Sequence, residues 1–470
     1  MMGKMQCTIA AALAAALAAG ALPAAAGEDE WDATWEEKAP EKPAAGPSQA
    51  EGGDFAVTEW LHSVLEWGGY YENQLMVGKL PRNVSSPDAS AWKVTDSNKL
   101  RLDIKVRPGK RFMLDADLVL KTYHGCTTYS LKDILPRKFE PELSLWEASD
   151  RSSLRWTLDD ELYLDNAYMT VSLDWFRLRV GRQQIRFGSG WFWNPTDLFT
   201  VKDLLDPAYE KRGLTAVKMQ FFFGRESQLD LYYFLENGFE ESMRKAGFME
   251  GGLLGSLDEP SFAVRLRQAF YRWDVAAIFV VKKDARIVMV SPVPELPPFI
   301  PDLKIDDRMM GGFEFAGELG GAGLRGEVAV NRIGRDIRFV EALGGIDYTF
   351  RCGLSIMAEY LFTSRGENGS GRTTFEDWIN YLTQSIRYPG MHYAAALIGY
   401  TFPRIGLDLQ LAGIVNASDG SFVINPWISY RWGNYVTLSL YGAISWGDDD
   451  TDELRALGQG AFLRFKFAYY

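Results

Sequence analysis

From Met391 to Tyr470 the chain is a row of segments, each about a dozen residues long, that alternate apolar and polar side chains and are cut by turn residues. Segment 405–415 reads IGLDLQLAGIV, 435–446 reads YVTLSLYGAISW and 461–470 reads AFLRFKFAYY. In the last, Leu463, Phe465, Phe467 and Tyr469 fall on one face, with Arg464 and Lys466 on the other. A strand sends successive side chains to opposite faces. An apolar face this wide and aromatic, on segment after segment, is the pattern of a transmembrane β-barrel, where one face meets lipid and the other a polar interior.

The N-terminus fits an exported chain. Lys4 is followed by the apolar stretch 8–22 and by Ala24-Ala25-Ala26, a small-residue cleavage site; residues 1–26 read as a secretory signal peptide, too short for a membrane anchor. Cys7 would leave with it. Residues 27–54 are acidic and rich in Ala, Pro and Gly, and cannot bury enough apolar surface to order themselves. Residues 55–66 put Phe55, Trp60, Leu61, Val64 and Leu65 on one side of a short amphipathic helix. Beyond the signal, no run is long and apolar enough for a spanning helix. The formal charge of −12 argues against a nucleic-acid partner, which would need a basic surface.

Residues 67–470 hold eighteen candidate strands, from 67–78 and 98–107 to 435–447 and 457–469. Long connections follow the first, third, fifth, seventh, ninth and thirteenth. Tight turns such as Arg107-Pro108-Gly109-Lys110, Gly320-Gly321 and Gly433-Asn434 follow even-numbered strands. Outer-membrane barrels alternate in this way, with long loops outside and short turns in the periplasm. Trp175, Trp273, Trp432 and Tyr469 fall at the short-turn ends, and Phe362 and Trp446 at the other. This matches two aromatic girdles against outer-membrane lipid. With an even strand number, Cys126 and Cys352 lie at opposite rims, about 25 Å apart at least, too far to bridge.

Parity then assigns the interior. Opposite Leu100, Leu102, Ile104 and Val106, the inward side chains are Arg101, Asp103, Lys105 and Arg107; Asp115, Asp117 and Lys121 follow on the next strand. Arg177 and Arg179 face in. The alternation slips near Gly181, where Ile185 and Phe187 become the apolar face. A bulge at Gly181-Arg182 would explain the slip and turn Arg182, Gln184 and Arg186 inward. Arg265, Arg267, Arg464 and Lys466 add cations. Asp165, Asp230, Glu236, Glu314, Glu318, Glu327, Glu359 and Asp408 add acids. So many ionised groups imply a wet lumen. Two readings stay open: opposite charges that only brace the wall, or an arginine-bearing path for anions, since guanidinium suits carboxylate and phosphate.

Segment 189–212, SGWFWNPTDLFTVKDLLDPAYEKR, is unusually aromatic for an outer loop. Trp191, Phe192, Trp193, Leu198 and Phe199 call for burial, so the loop, Asp197 included, is expected to fold into the barrel and narrow it. Gly-Arg-Gln on a strand, then an aromatic-Gly step and Asn-Pro-Thr-Asp-Leu within 180–199, resembles a motif of porin-like outer-membrane proteins. The strand number and charged lumen are also similar to the alginate-export type of barrel. The resemblance covers about twenty residues and the topology, and matches no polysaccharide site.

Catalysis finds little footing. Nucleophilic chemistry needs a base beside the nucleophile, and nothing pairs His62, His124 or His392 with a serine. No cysteine or histidine spacing suggests a metal, the acidic run 448–453 lacks the glycine-containing spacing of a calcium loop, and no haem-attachment CxxCH occurs, so no cofactor is expected. The expectation is a non-enzymatic channel for small hydrophilic, mainly anionic solutes, narrowed by 189–212. Export of an anionic polysaccharide, or a structural barrel that sheathes or anchors a partner protein, are the alternatives. Monomer and homotrimer are both compatible with the pattern.

Overall fold

The computed structural model describes residues 64–79, 92–130, 136–142, 144, 155–199, 212–224, 226–236, 261–290, 300–382, 385–448, 451–456 and 459–469. The signal peptide, the acidic segment and all but the end of the expected helix lie outside these residues. Leu65 and Glu66, expected in that helix, open the first strand.

The chain runs through β1 (Leu65–Lys79), β2 (Lys93–Gly109), β3 (Phe112–Gly125), β4 (Thr128–Ser130), β5 (Arg155–Thr157), β6 (Glu161–Ser172), β7 (Phe176–Gln183), β8 (Leu214–Phe223) and β9 (Ser227–Phe234). It continues with β10 (Ser261–Phe270), β11 (Trp273–Val290), β12 (Ile300–Leu319), β13 (Ala322–Ile333), β14 (Ile337–Thr349) and β15 (Leu354–Thr363). Helix α1 (Phe375–Leu382), β16 (His392–Phe402), β17 (Leu407–Asn416), β18 (Phe422–Trp432), β19 (Val436–Trp446), helix α2 (Glu453–Ala456) and β20 (Gln459–Tyr469) complete it. Strands β4 and β5 form a small separate ribbon. The other eighteen each pair antiparallel with their neighbours in sequence, and β20 closes on β1 from Gly69↔Tyr469 to Lys79↔Gln459. Closure leaves no sheet edge, the condition for β structure in lipid, where no water can satisfy backbone groups.

The exterior is apolar. Leu100, Leu118, Leu120, Phe262, Val264, Leu266, Phe279, Phe313, Leu438, Leu440, Leu463 and Phe465 are all exposed. Their partners in alternation are buried inside, as in β20, where Phe462 faces in. Exposed Trp175, Tyr271, Trp432 and Tyr435 mark the short-turn rim, and Trp92, Tyr360 and Trp446 the other. An inside-out band of this kind is a lipid-facing surface.

One irregularity lies elsewhere than the sequence suggests. β7 pairs regularly with β6 through Tyr168↔Gly181 and Ala167↔Arg182, with no bulge at Gly181-Arg182. The bulge sits on β6 itself: Asp117 pairs with Asn166 and Leu118 with Leu164, leaving Asp165 as the extra residue. Gly181 is instead a close approach. Its φ is +123°, and a Cβ there would lie 2.2 Å from the Ala167 carbonyl oxygen. β7 leaves the ladder after Gln183, and the chain turns into the barrel.

Candidate channel interior

The segment from Gln184 to Phe199 lies against the inside of the wall. Ile185, Phe187, Leu198 and Phe199 pack with Leu214, Tyr232, Phe234, Ile278, Val280, Met310 and Ala329 from β8 to β13. Ile185 and Phe187, expected toward lipid, are therefore interior. Phe199 stacks on Phe234 at 3.8 Å, and Trp193, 1% exposed, reaches Tyr393 of β16. Phe192 and Asp197 are buried too, while Trp191 is exposed under the Arg325 guanidinium. Residues 200–211 lie outside the described residues.

A loop inside a barrel needs acceptors for its own N–H groups. Three inward glutamates supply them. Glu314 of β12 accepts from the backbone of Gly188 at 2.6 Å. Glu327 of β13 accepts from the backbone of Ser189, Gly190 and Thr196 and from the Thr196 hydroxyl. Glu359 of β15 accepts from Trp191 and Phe192. The loop carbonyls are taken by cations: Arg387 donates to Asn194, Pro195 and Asp197, Lys282 to Leu198 and Arg325 to Ser189. Gly188 makes the fit. Its φ is +90°, and a Cβ would meet Glu327 Oε1 at 2.7 Å.

Arg387 is itself held by Glu341 at 2.8 Å. Burial opposes its charge, but Glu341, Tyr388 and Asp197 together outweigh it and raise its pKa. Helix α1 steadies this region. Thr374 and Asp377 cap it reciprocally, a capping box with Asp in the place of Glu. The Asn380 amide pairs with both the N–H and the C=O of Ile287 on β11.

The remaining charged residues fall into two kinds. Arg101 contacts Asp103, Asp117 and Asp165 at 2.6, 2.8 and 3.2 Å, so the β6 bulge delivers a third carboxylate to one guanidinium. Lys105 pairs with Asp115, Arg464 with Glu72 and Arg267 with Asp274. Arg265 pairs with Glu314 beneath the loop, so Glu314, 3% exposed, is an anchor rather than an open lining group. Arg182 shares the outward face of Phe176, Leu178 and Val180, because the expected bulge is absent; it ends at the rim on Glu236. Gln184 does turn in, bonding Asp165 and Asn166, and Arg186 is exposed between buried neighbours.

Arg177 lies over Phe222 and Arg179 over Tyr168, the latter bonding Thr170. Arg179 stands directly opposite Lys218 of β8, which sequence reasoning passed over. Among the described residues neither has a carboxylate partner. The clamp was also missed, although Glu327 and Glu359 are legible as inward: nothing in one strand says that a distant loop will need its oxygens. The small run Gly188-Ser189-Gly190 was the available signal for exposed backbone N–H groups.

No protein-family model and no curated protein matches the chain. Among solved structures, OccK9 (OpdG) from Pseudomonas aeruginosa is similar with a TM-score of 0.51 at 10% identity, over 86% of this chain and 98% of that one. A BenF-like porin from Pseudomonas fluorescens Pf-5 gives 0.50 at 10% identity with the same coverage. Pseudomonas aeruginosa OpdK, solved with vanillate, gives 0.50 at 11%, again over 86% and 98%. These porins support the broad likeness to porin-like barrels and lend nothing to the alginate-export type. At such identity the likeness is one of fold: a closed eighteen-stranded barrel of the kind found in outer-membrane porins.

Proposed function

We propose that this chain is a non-enzymatic channel of the bacterial outer membrane that passes small hydrophilic, preferentially anionic solutes by diffusion. The observation that carries the reading is the Arg179–Lys218 pair. Like charges directly opposite on neighbouring strands destabilise a sheet. Bracing would put opposite charges there, as it does where Lys105 stands opposite Asp115. Two cations with no carboxylate in ion-pair contact serve better as a water-filled path that raises the local concentration of anions. The inward loop supports the reading from the other side. It packs on β8 at Leu214 and Ala216, short of Lys218, and reaches round to Tyr393 of β16, while β2, half-way round the ring from β13, keeps its charged interior face. OpdK, similar in fold, was solved with the anion vanillate.

The test is the reversal potential of single channels in a potassium chloride gradient. The wild type should prefer chloride despite its acidic composition, and Arg179→Met with Lys218→Met should move the potential toward cations. A unit charge about 10 Å from a passing ion in water is worth ~0.4 kcal/mol, close to a factor of two in permeability per charge before screening. No conductance would overturn the channel. Unchanged selectivity in the double variant would overturn the role of these cations.

A further inference from the structure

We infer that the outer part of the barrel holds a site for one small monatomic anion, chloride in a chloride medium, between Arg365, Thr363 and Tyr388. The inference is independent of the channel reading.

The site is a cavity behind segment 385–388, lined among others by Arg308 of β12, Phe339 and Glu341 of β14, Thr363 of β15 and Arg365 just beyond it. Three guanidinium groups converge there. Two are spoken for. Arg308 bonds Asp284 and Asn331. Arg387 bonds Glu341 and three carbonyls of the inward loop. Arg365 differs. Its guanidinium carbon lies 5.4 Å from the Phe339 ring centre, on the ring that Arg308 also covers at 5.4 Å. Among the described residues it has no carboxylate and no hydrogen-bond acceptor. Thr363 and Tyr388 line the same space, and their hydroxyls are likewise without a partner among the described residues.

The balance of charge follows. Asp284 pairs with Arg308 and Glu341 with Arg387, while Arg365 forms no ion pair among the described residues, so cations outnumber carboxylates in the lining. A half-buried guanidinium without a protein acceptor is met by water or by an anion, and the local concentration of positive charge favours the anion. Size selects which. The cavity is small, with room for about one water or an ion of similar size. Three donors around one small space suit a halide. A bound anion there would tie β14 and β15 to segment 385–388, whose Arg387 holds the inward loop.

Crystals of the protein soaked in bromide provide the test. One anomalous peak between the Arg365 guanidinium and the Thr363 and Tyr388 hydroxyls is expected, and it should vanish in Arg365→Met. A wild-type crystal without the peak at high bromide overturns the site, and so does a peak that survives in the variant. Should that variant fail to fold, thermal unfolding of the wild type in detergent decides. Midpoints should be higher in chloride than in gluconate at matched ionic strength, gluconate being too large to enter. Equal midpoints overturn the proposal.

Discussion

The two sides of the lumen use the same residue types for opposite ends. On β12, β13 and β15, the inward carboxylates of Glu314, Glu327 and Glu359 are buried against backbone N–H groups of the loop. Across the ring, the carboxylates of β2, β3 and β6 gather around Arg101 and stay in the wall. An inward charge is therefore not by itself a lining group. Its role depends on whether something from elsewhere in the chain lies over it.

The largest expected effect comes from undoing the covered side. Glu327→Ala removes four hydrogen bonds to a carboxylate, each worth about 1.5–3 kcal/mol. With Glu359→Ala in the same chain the loop should leave the wall. Single-channel conductance should rise severalfold and become noisy, as it should on deleting Trp191–Asn194. Unchanged conductance would mean that the loop does not narrow the path.

A subtler contrast separates two arginines. Arg265→Met leaves Glu314 buried without its cation, a loss on the order of 3 kcal/mol. It should lower the temperature of unfolding in detergent and leave selectivity alone. Arg179→Met should do the reverse, shifting the reversal potential with little change in stability. If both act alike, the division into anchoring and lining charges fails.

The outer loops add a pH dependence of their own. Glu453 of α2 is buried, and its pKa is pushed up to about 8 by burial first and by nearby Asp419 second, against hydrogen bonds from Tyr393 and Asn416. A carboxyl raised in the folded state favours folding in its neutral form. Its contribution is complete below its unfolded pKa, about 4.5, and is lost as pH rises through about 8. Proteolysis of the outer loops should accelerate over that window, and Glu453→Gln should flatten the profile. A profile unaltered by Glu453→Gln would exclude this residue.

The smallest effect concerns the thiols. Both are free, Cys126 beside the outer loops and Cys352 in the turn between β14 and β15. A membrane-impermeant maleimide on intact cells should label Cys126, spare Cys352 and leave conductance as it was. Labelling of Cys352 would invert the assigned topology.

What the sequence determined by itself was everything set by period and punctuation. Alternation of side chains decides which face meets lipid, and glycine and proline decide where strands stop. Strands near 98–107, 323–333 and 435–447 were therefore legible within a few residues, together with the alternation of long loops and short turns. The aromatic content of Trp191, Phe192 and Trp193 also sufficed to send the loop inward. Only the tertiary structure decided what depends on partners far apart in the chain. Asp165, not Gly181, carries the bulge, because the extra residue is stabilised by Arg101 sixty-four positions away. Ile185 and Phe187 face the interior because β8 to β13 curve round to receive them. Glu327 meets Ser189 across 138 residues. Such contacts leave no period in the sequence, since closure of the ring, and not local geometry, brings the two groups together.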